Sequence, residues 1–299
     1  MSFRSGFIGL IGRPNAGKST LLNALVQEKV AIMANKPQTT RNIIRGVRTD
    51  SDSQMVFVDT PGVHKPQHKL GEVMVSDALS TIKGVDIIYL IIDASVSFGR
   101  GDEYLLGFVK ESKLPVFLIL NKVDLLSKQQ LIHLLQEWQE RHTFKEIIPV
   151  SALKDNNIER LIKLTKTYLS DTIKYYPDDQ ISDYPEQFII AEIIREKLIV
   201  VTEQEVPHSA AVIIENIRKK RDTLYINALV LIERDSQKGI VIGKNGERIK
   251  KVASQARAEL EQRLGNKIFL EVFVRVEKDW RNRQNKLRQL GYIQIEEVL

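Results

Sequence analysis

The chain has 299 residues, 43% of them hydrophobic and 27% charged, which fits a globular protein of about two domains. It contains no cysteine, so disulfides, zinc–thiolate sites and thiol nucleophiles are excluded, and its five histidines show no metal-ligand spacing. The net charge of +6 is unevenly spread: Arg218 to Arg288 holds 19 Lys and Arg against 9 Asp and Glu, an excess that suits a polyanionic partner or solvated helix faces.

No apolar run reaches the roughly 18–20 residues that span a bilayer. No small-residue cleavage site follows the first apolar stretch, so neither a secretory leader nor a membrane span is expected, and the cytoplasm is the expected compartment.

From the N-terminus, 7–12 reads as a short buried strand and 18–26 as a helix with apolar Leu21, Leu22, Leu25 and Val26. Strands are expected at 55–60, 86–94, 115–124 and 146–153, and helices at 75–85, 101–112, 129–142 and 157–169. Short apolar strands alternating with amphipathic helices predict an α/β domain with a mostly parallel sheet covered on both faces, over 1–171. Residues 172–187, with Pro177 and Pro185 and no sustained periodicity, read as a linker.

A different order follows over 188–299: a helix at 188–202, a strand pair, a long helix, a strand at 267–280 with Ile268, Leu270, Val272, Val274 and Val276 in alternation, and a basic terminal helix. Between the strand pair and the long helix stands "VIGKNGERIKK". Asn245-Gly246 is a strong hairpin signal. Downstream, however, Ile249, Val252, Ala253, Ala256 and Leu260 fall at steps of three and four, so a helix begins there.

The turn Gly12-Arg13-Pro14-Asn15-Ala16-Gly17-Lys18-Ser19 matches G-x-x-x-x-G-K-S, after a strand and opening a helix. Its backbone N–H groups and the helix N-terminus favour phosphate oxygens. Lys18 is expected on the β- and γ-phosphates, Ser19 on Mg²⁺, and Thr20 within the same cradle. Asp59-Thr60-Pro61-Gly62 ends the next strand, with Asp59 placed to organise Mg²⁺ and Gly62 to bond the γ-phosphate. Thr40, chosen over Thr39, is expected to complete the metal shell. The loops 31–46 and 62–80 are candidate switches.

Asn121-Lys122-Val123-Asp124 closes another strand. A buried Asp124 carboxylate would accept from guanine N1–H and the 2-amino group, donors that adenine lacks. Ser151, Ala152 and Leu153 at the next strand end are placed to offer N–H groups to guanine O6. Val63 stands where Ras-like GTPases carry a water-positioning glutamine. Slow hydrolysis is therefore expected, with Asn15 as a candidate ligand for a potassium ion.

In order and spacing these motifs resemble the TrmE–Era–septin branch of translation-factor-like GTPases. With "EIIREKL", "EVPHS", "IERDSQKGIVIGKNG" and "DWR", both domains resemble the Era family of bacterial ribosome-assembly GTPases. Departures are small: Ala16 replaces a usual valine, and "IERD" a usual "VERD". The resemblance implies a type II KH domain, binding of the 3′ end of 16S rRNA, and work on the small ribosomal subunit. It also implies some peripheral membrane association; a monomer is expected. Gly243-Lys244-Asn245-Gly246 would then clamp single-stranded RNA, with Arg248, Lys250 and Lys251 following and Ile240 and Ile242 lining an apolar groove. GTP is expected to order the switches and raise RNA affinity. The alternative reading is a GTPase whose basic second domain meets protein or anionic lipid.

Overall fold

The structure, a computed structural model, describes residues 3–33, 39–62, 68–202 and 209–293. Its contacts divide the chain into two units. The first comprises Met1–Ala31, Thr40–Pro66 and Met74–Asp183; the second comprises Tyr184–Leu299 with Ile32–Thr39 and Gln67–Val73.

The first unit runs β1 (Arg4–Gly12), α1 (Lys18–Val26), β2 (Ile44–Asp50), β3 (Ser53–Asp59), α2 (Lys69–Thr81, which begins among the second unit's residues), β4 (Ile87–Asp93), α3 (Arg100–Lys110), β5 (Val116–Asn121), α4 (Lys128–Arg141), β6 (Glu146–Pro149) and α5 (Ile158–Lys166). The sheet order is β2-β3-β1-β4-β5-β6. All neighbours are parallel except β2 and β3. The fully buried runs of β3 and β5 show why: an interior parallel strand is apolar on both faces. The chain leaves β1 for β3 on one side and β4 on the other, so the strand order reverses at β1. That places the crevice at the carboxyl ends of β1 and β3.

Strand β2 was not expected: it begins at the end of the first candidate switch, 31–46. It pairs antiparallel with β3 from Ile44↔Asp59 to Asp50↔Ser53. The expected second switch, 62–80, contains most of α2. Strand β6 stops at Pro149, so Ser151–Leu153 lie in a turn closed by the Ser151↔Asn156 bridge. Much of the expected linker is fixed to the first unit. Gln54 Oε1 accepts from the N–H groups of Tyr175 and Tyr176 at 2.7 and 3.0 Å, and Val47 N–H donates to the Ile181 carbonyl at 2.8 Å.

The second unit runs α6 (Glu186–Thr202), β7 (Ala211–Lys220), β8 (Thr223–Ile232), α7 (Asp235–Ile242), α8 (Glu247–Leu264), β9 (Lys267–Val276) and α9 (Gln284–Gln289). This is the α-β-β-α-α-β order of a type II KH domain. Strands β7 and β8 are antiparallel, and β8 and β9 parallel. One sheet face, with Ile226, Ala228, Val230 and Ile268, packs against Ile194, Val241, Val252 and Ala256 from the helices. The terminal helix expected over 281–292 is confined to Gln284–Gln289, and Trp280–Asn282 forms a separate 3-10 turn. Trp280 is fully buried there, and its indole N–H donates to the Ser209 carbonyl at 2.8 Å. Within this unit the buried Arg195 pairs with Glu192 at 2.6 Å and donates to the Thr39 carbonyl.

Candidate functional site

The turn from β1 into α1 carries Gly17 at the N-cap with φ +92°. A Cβ at this left-handed position would lie 2.2 Å from Asn121 Nδ2, so only glycine fits. Asn121 explains the crowding. Its amide N–H donates to the Ala16 carbonyl at 2.9 Å, and its Oδ1 accepts from Ala152 N–H at 3.0 Å. One buried side chain thus joins the phosphate loop to the Ser151–Leu153 turn. That N–H of Ala152 is consequently spent on Asn121 rather than offered to a base.

Lys18 is buried, and its Nζ donates to the carbonyls of Gly12 and Arg13 at 3.1 and 3.0 Å. Burial lowers its pKa to about 8, against the opposing field of Asp59. Arg13 pairs with the buried Asp102 at 2.7 Å, and Asp102 also accepts from Gly99 N–H. Arg13 is therefore tied to α3. Pro14 and Gly62 lie against one another. Asn15 is exposed, with a left-handed φ of 65°.

Ser19, Thr40 and Asp59 meet. Ser19 Oγ lies 2.6 Å from Thr40 Oγ1 and donates to Asp59 Oδ2 at 2.8 Å; Thr40 Oγ1 is 3.4 Å from the same oxygen. Asp59 is fully buried, and its Oδ1 has no hydrogen-bond partner. An orphaned buried carboxylate oxygen beside two hydroxyls fits a hard cation with oxygen ligands, as Mg²⁺ requires. Thr40 rather than Thr39 supplies the hydroxyl. Thr60 turns the other way, donating to the Leu10 carbonyl at 2.8 Å, so only its backbone faces the crevice.

Burial raises the Asp59 pKa from 3.8 to about 6. The unfolded chain therefore ionises this group first. Stability is full below pH 3.8 and is lost as pH rises through about 6, a cost of about 3 kcal/mol at 1.36 kcal/mol per unit. In chelator, without nucleotide, Asp59→Asn should unfold at a higher temperature than wild type at pH 7.5, the two converging towards pH 4. A variant less stable at pH 7.5 would contradict this.

At the base end, Asp124 is exposed rather than buried, so its desolvation arises only when a base covers it. Its Oδ1 accepts from Ser151 Oγ at 2.6 Å, which fixes the carboxylate plane. Lys122, at φ 66°, pairs with Asp93 at 2.5 Å. The exposed Leu153 and half-buried Val123 flank this end. Val63 and residues 34–38 of the first candidate switch lie outside the described residues. The sequence motifs did not reveal Ser151–Asp124, Asp93–Lys122 or Arg13–Asp102, because each joins residues tens of positions apart.

In the second unit, Gly243 (φ +73°) ends α7 and Gly246 (φ +78°) opens α8. A Cβ on Gly243 would come within 2.8 Å of Arg248. Lys244 and Asn245 stand exposed between the glycines. Arg248 folds back, its Nη1 donating to the Ile240 carbonyl at 3.1 Å, and so caps α7. Lys250 and Lys251 are exposed on α8, while Ile240 and Ile242 are partly buried beside the loop.

A P-loop with a hydroxyl–carboxylate cation site, an N-K-x-D strand end and a glycine-loop α+β unit define a P-loop GTPase followed by a KH domain. Residues 7–122 match the family described as 50S ribosome-binding GTPase, and residues 205–281 match the KH domain family. Era from Aquifex aeolicus, crystallised as a variant bound to GDP·AlF4⁻, is 37% identical over 98% of this chain and 100% of its own, with a TM-score of 0.94. Era in complex with MgGDPNP and nucleotides 1506–1542 of 16S ribosomal RNA matches with the same identity and coverage and a TM-score of 0.95. The chain belongs to the Era family of GTPases.

Proposed function

We propose that this protein is a GTP-driven switch that binds the 3′ end of 16S rRNA and assists assembly of the small ribosomal subunit. The observation carrying this reading is that a relative matching 98% of the chain holds MgGDPNP and that RNA. It favours RNA over protein or lipid as the main partner of the basic second domain. Functional domains at 1–171 and 188–299, a monomeric state and a cytoplasmic location with peripheral contact to anionic membrane belong to the same proposal. Among the described residues no helix is long and apolar enough to cross a membrane.

In the nucleotide pocket, the backbone N–H groups of the 12–20 loop other than Pro14 would surround the phosphates, and Lys18 would reach β and γ. Ser19 and Thr40 hold Mg²⁺, with Asp59 organising its water. When bound, the ion neutralises charge that builds on the β- and γ-phosphate oxygens. Gly62 N–H bonds the γ-phosphate and moves when it leaves. Asp124, oriented by Ser151, reads guanine. The reaction takes GTP and water to GDP and phosphate.

No glutamine follows Gly62, so turnover is slow, and a potassium ion held by Asn15 would supply further positive charge at the phosphates. Phosphate release by purified protein with Mg²⁺ should be faster in KCl than in NaCl and negligible with ATP. Equal rates in the two salts remove the ion; equal use of ATP removes the guanine reading.

A further inference from the structure

The second unit's sheet has one face packed on helices; the other is exposed along β9 and at Tyr225, while Leu229 and Leu231 on it are buried. Alternation puts Ile226, Ala228, Val230, Ile268 and Leu270 in the core, which turns Tyr225, Phe269 and Phe273 outward. These three are 38%, 50% and 51% exposed, an unusual exposure for large aromatics on neighbouring strands. Tyr225 and Phe269 are direct partners across β8 and β9, with ring centroids 5.4 Å apart. Phe273 stands four residues further along, about 13 Å away at the usual strand rise. Between them Asn227 donates to Glu271 at 3.0 Å, so polar groups with both donor and acceptor capacity lie between the aromatic positions.

Charge surrounds this platform. Arg218 pairs with Tyr225 in register, and Lys267 and Arg275 begin and nearly end the outward row of β9. All three are exposed. Glu271 is the one acid among these outward side chains of β9. An apolar protein partner does not call for that ring of cations, whereas a phosphate backbone does. Exposed rings on a flat sheet, interleaved with cations, are what single-stranded bases stack on.

We propose that the exposed strip of this sheet face, centred on Tyr225, Phe269 and Phe273, is a second binding surface for single-stranded RNA. It lies on the sheet face opposite the helices that carry the Gly243–Gly246 loop, and it does not depend on that loop's role.

The test uses the full chain with Lys244→Asp and Asn245→Asp, which disables the loop. Binding of a short fluorescein-labelled oligouridine RNA is followed by fluorescence anisotropy at one low salt concentration. Residual, salt-sensitive binding should persist. Adding Phe269→Ala and Phe273→Ala should weaken it by about tenfold or more. Replacing the same two residues by Trp should preserve it, and far-UV circular dichroism should be unchanged throughout. No residual binding in the loop variant, or residual binding indifferent to the alanines, overturns the proposal. Two further arms identify other occupants. If the alanines release the chain from phosphatidylglycerol vesicles and leave RNA binding intact, the face is a lipid surface. If they convert a dimer to a monomer in sedimentation and leave RNA binding intact, it is a contact between copies. Either result also overturns the proposal.

Discussion

Replacing Asp124 by Asn should weaken GTP binding by on the order of a hundredfold or more and turn the pocket towards xanthosine nucleotides. Ser151 Oγ donates to Oδ1 and so positions the carboxylate, which would accept from the base. Guanine offers two donors on that edge, and an asparagine amide meets one of them donor to donor. Xanthine replaces the 2-amino group by a carbonyl, which an amide N–H satisfies. Titration of fluorescent guanosine and xanthosine diphosphates into both chains checks this. Unchanged guanosine affinity would remove Asp124 from base recognition. Ser151→Ala should act in the same direction, more weakly, because it frees the carboxylate without removing it.

Inverting the charge of the glycine loop should have a comparable effect on RNA. Lys244→Asp with Asn245→Asp changes the local charge by three while leaving both glycines, and hence the helix-to-helix turn, in place. Both residues are exposed, so folding should be preserved. Affinity for an RNA carrying the 3′ end of 16S rRNA should fall about ten- to a hundredfold, with a shallower dependence on salt. GTP affinity should not change. RNA affinity equal to wild type would place recognition elsewhere on the domain. Arg248 is a weaker target than its position suggests, because its guanidinium already caps α7 through the Ile240 carbonyl.

Local strings were legible wherever chemistry demands a fixed spacing. The phosphate loop, Asp59 and Asn121–Asp124 each sit at a strand end that an apolar run announces. The glycine loop was legible once the three-and-four spacing after Gly246 outweighed the Asn-Gly hairpin signal. Strand β2 was not, because Ile44-Arg-Gly-Val-Arg-Thr-Asp has only two apolar side chains and gains its place by pairing with β3. Asp124 was expected to be buried because it follows a buried strand; the chain instead turns outward at Lys122 with a positive φ. Ser151's hold on Asp124, the bracing of two loops by Asn121, and the anchoring of Thr39 by Arg195 join distant positions, and no local pattern encodes them. The alternation of β9 was visible, but which phase faced solvent depended on where the helices packed.

In the proposed switch, the nucleotide controls RNA binding. Linkage makes it quantitative: if GTP tightens RNA binding tenfold, RNA must tighten GTP binding tenfold, about 1.4 kcal/mol of coupling. The direct measurement is the affinity of the full chain for an RNA of the 16S 3′ end, with Mg²⁺, at one salt concentration, once with GDP and once with a non-hydrolysable GTP analogue. Binding at least tenfold tighter with the analogue is expected. Equal affinities in the two states would contradict it.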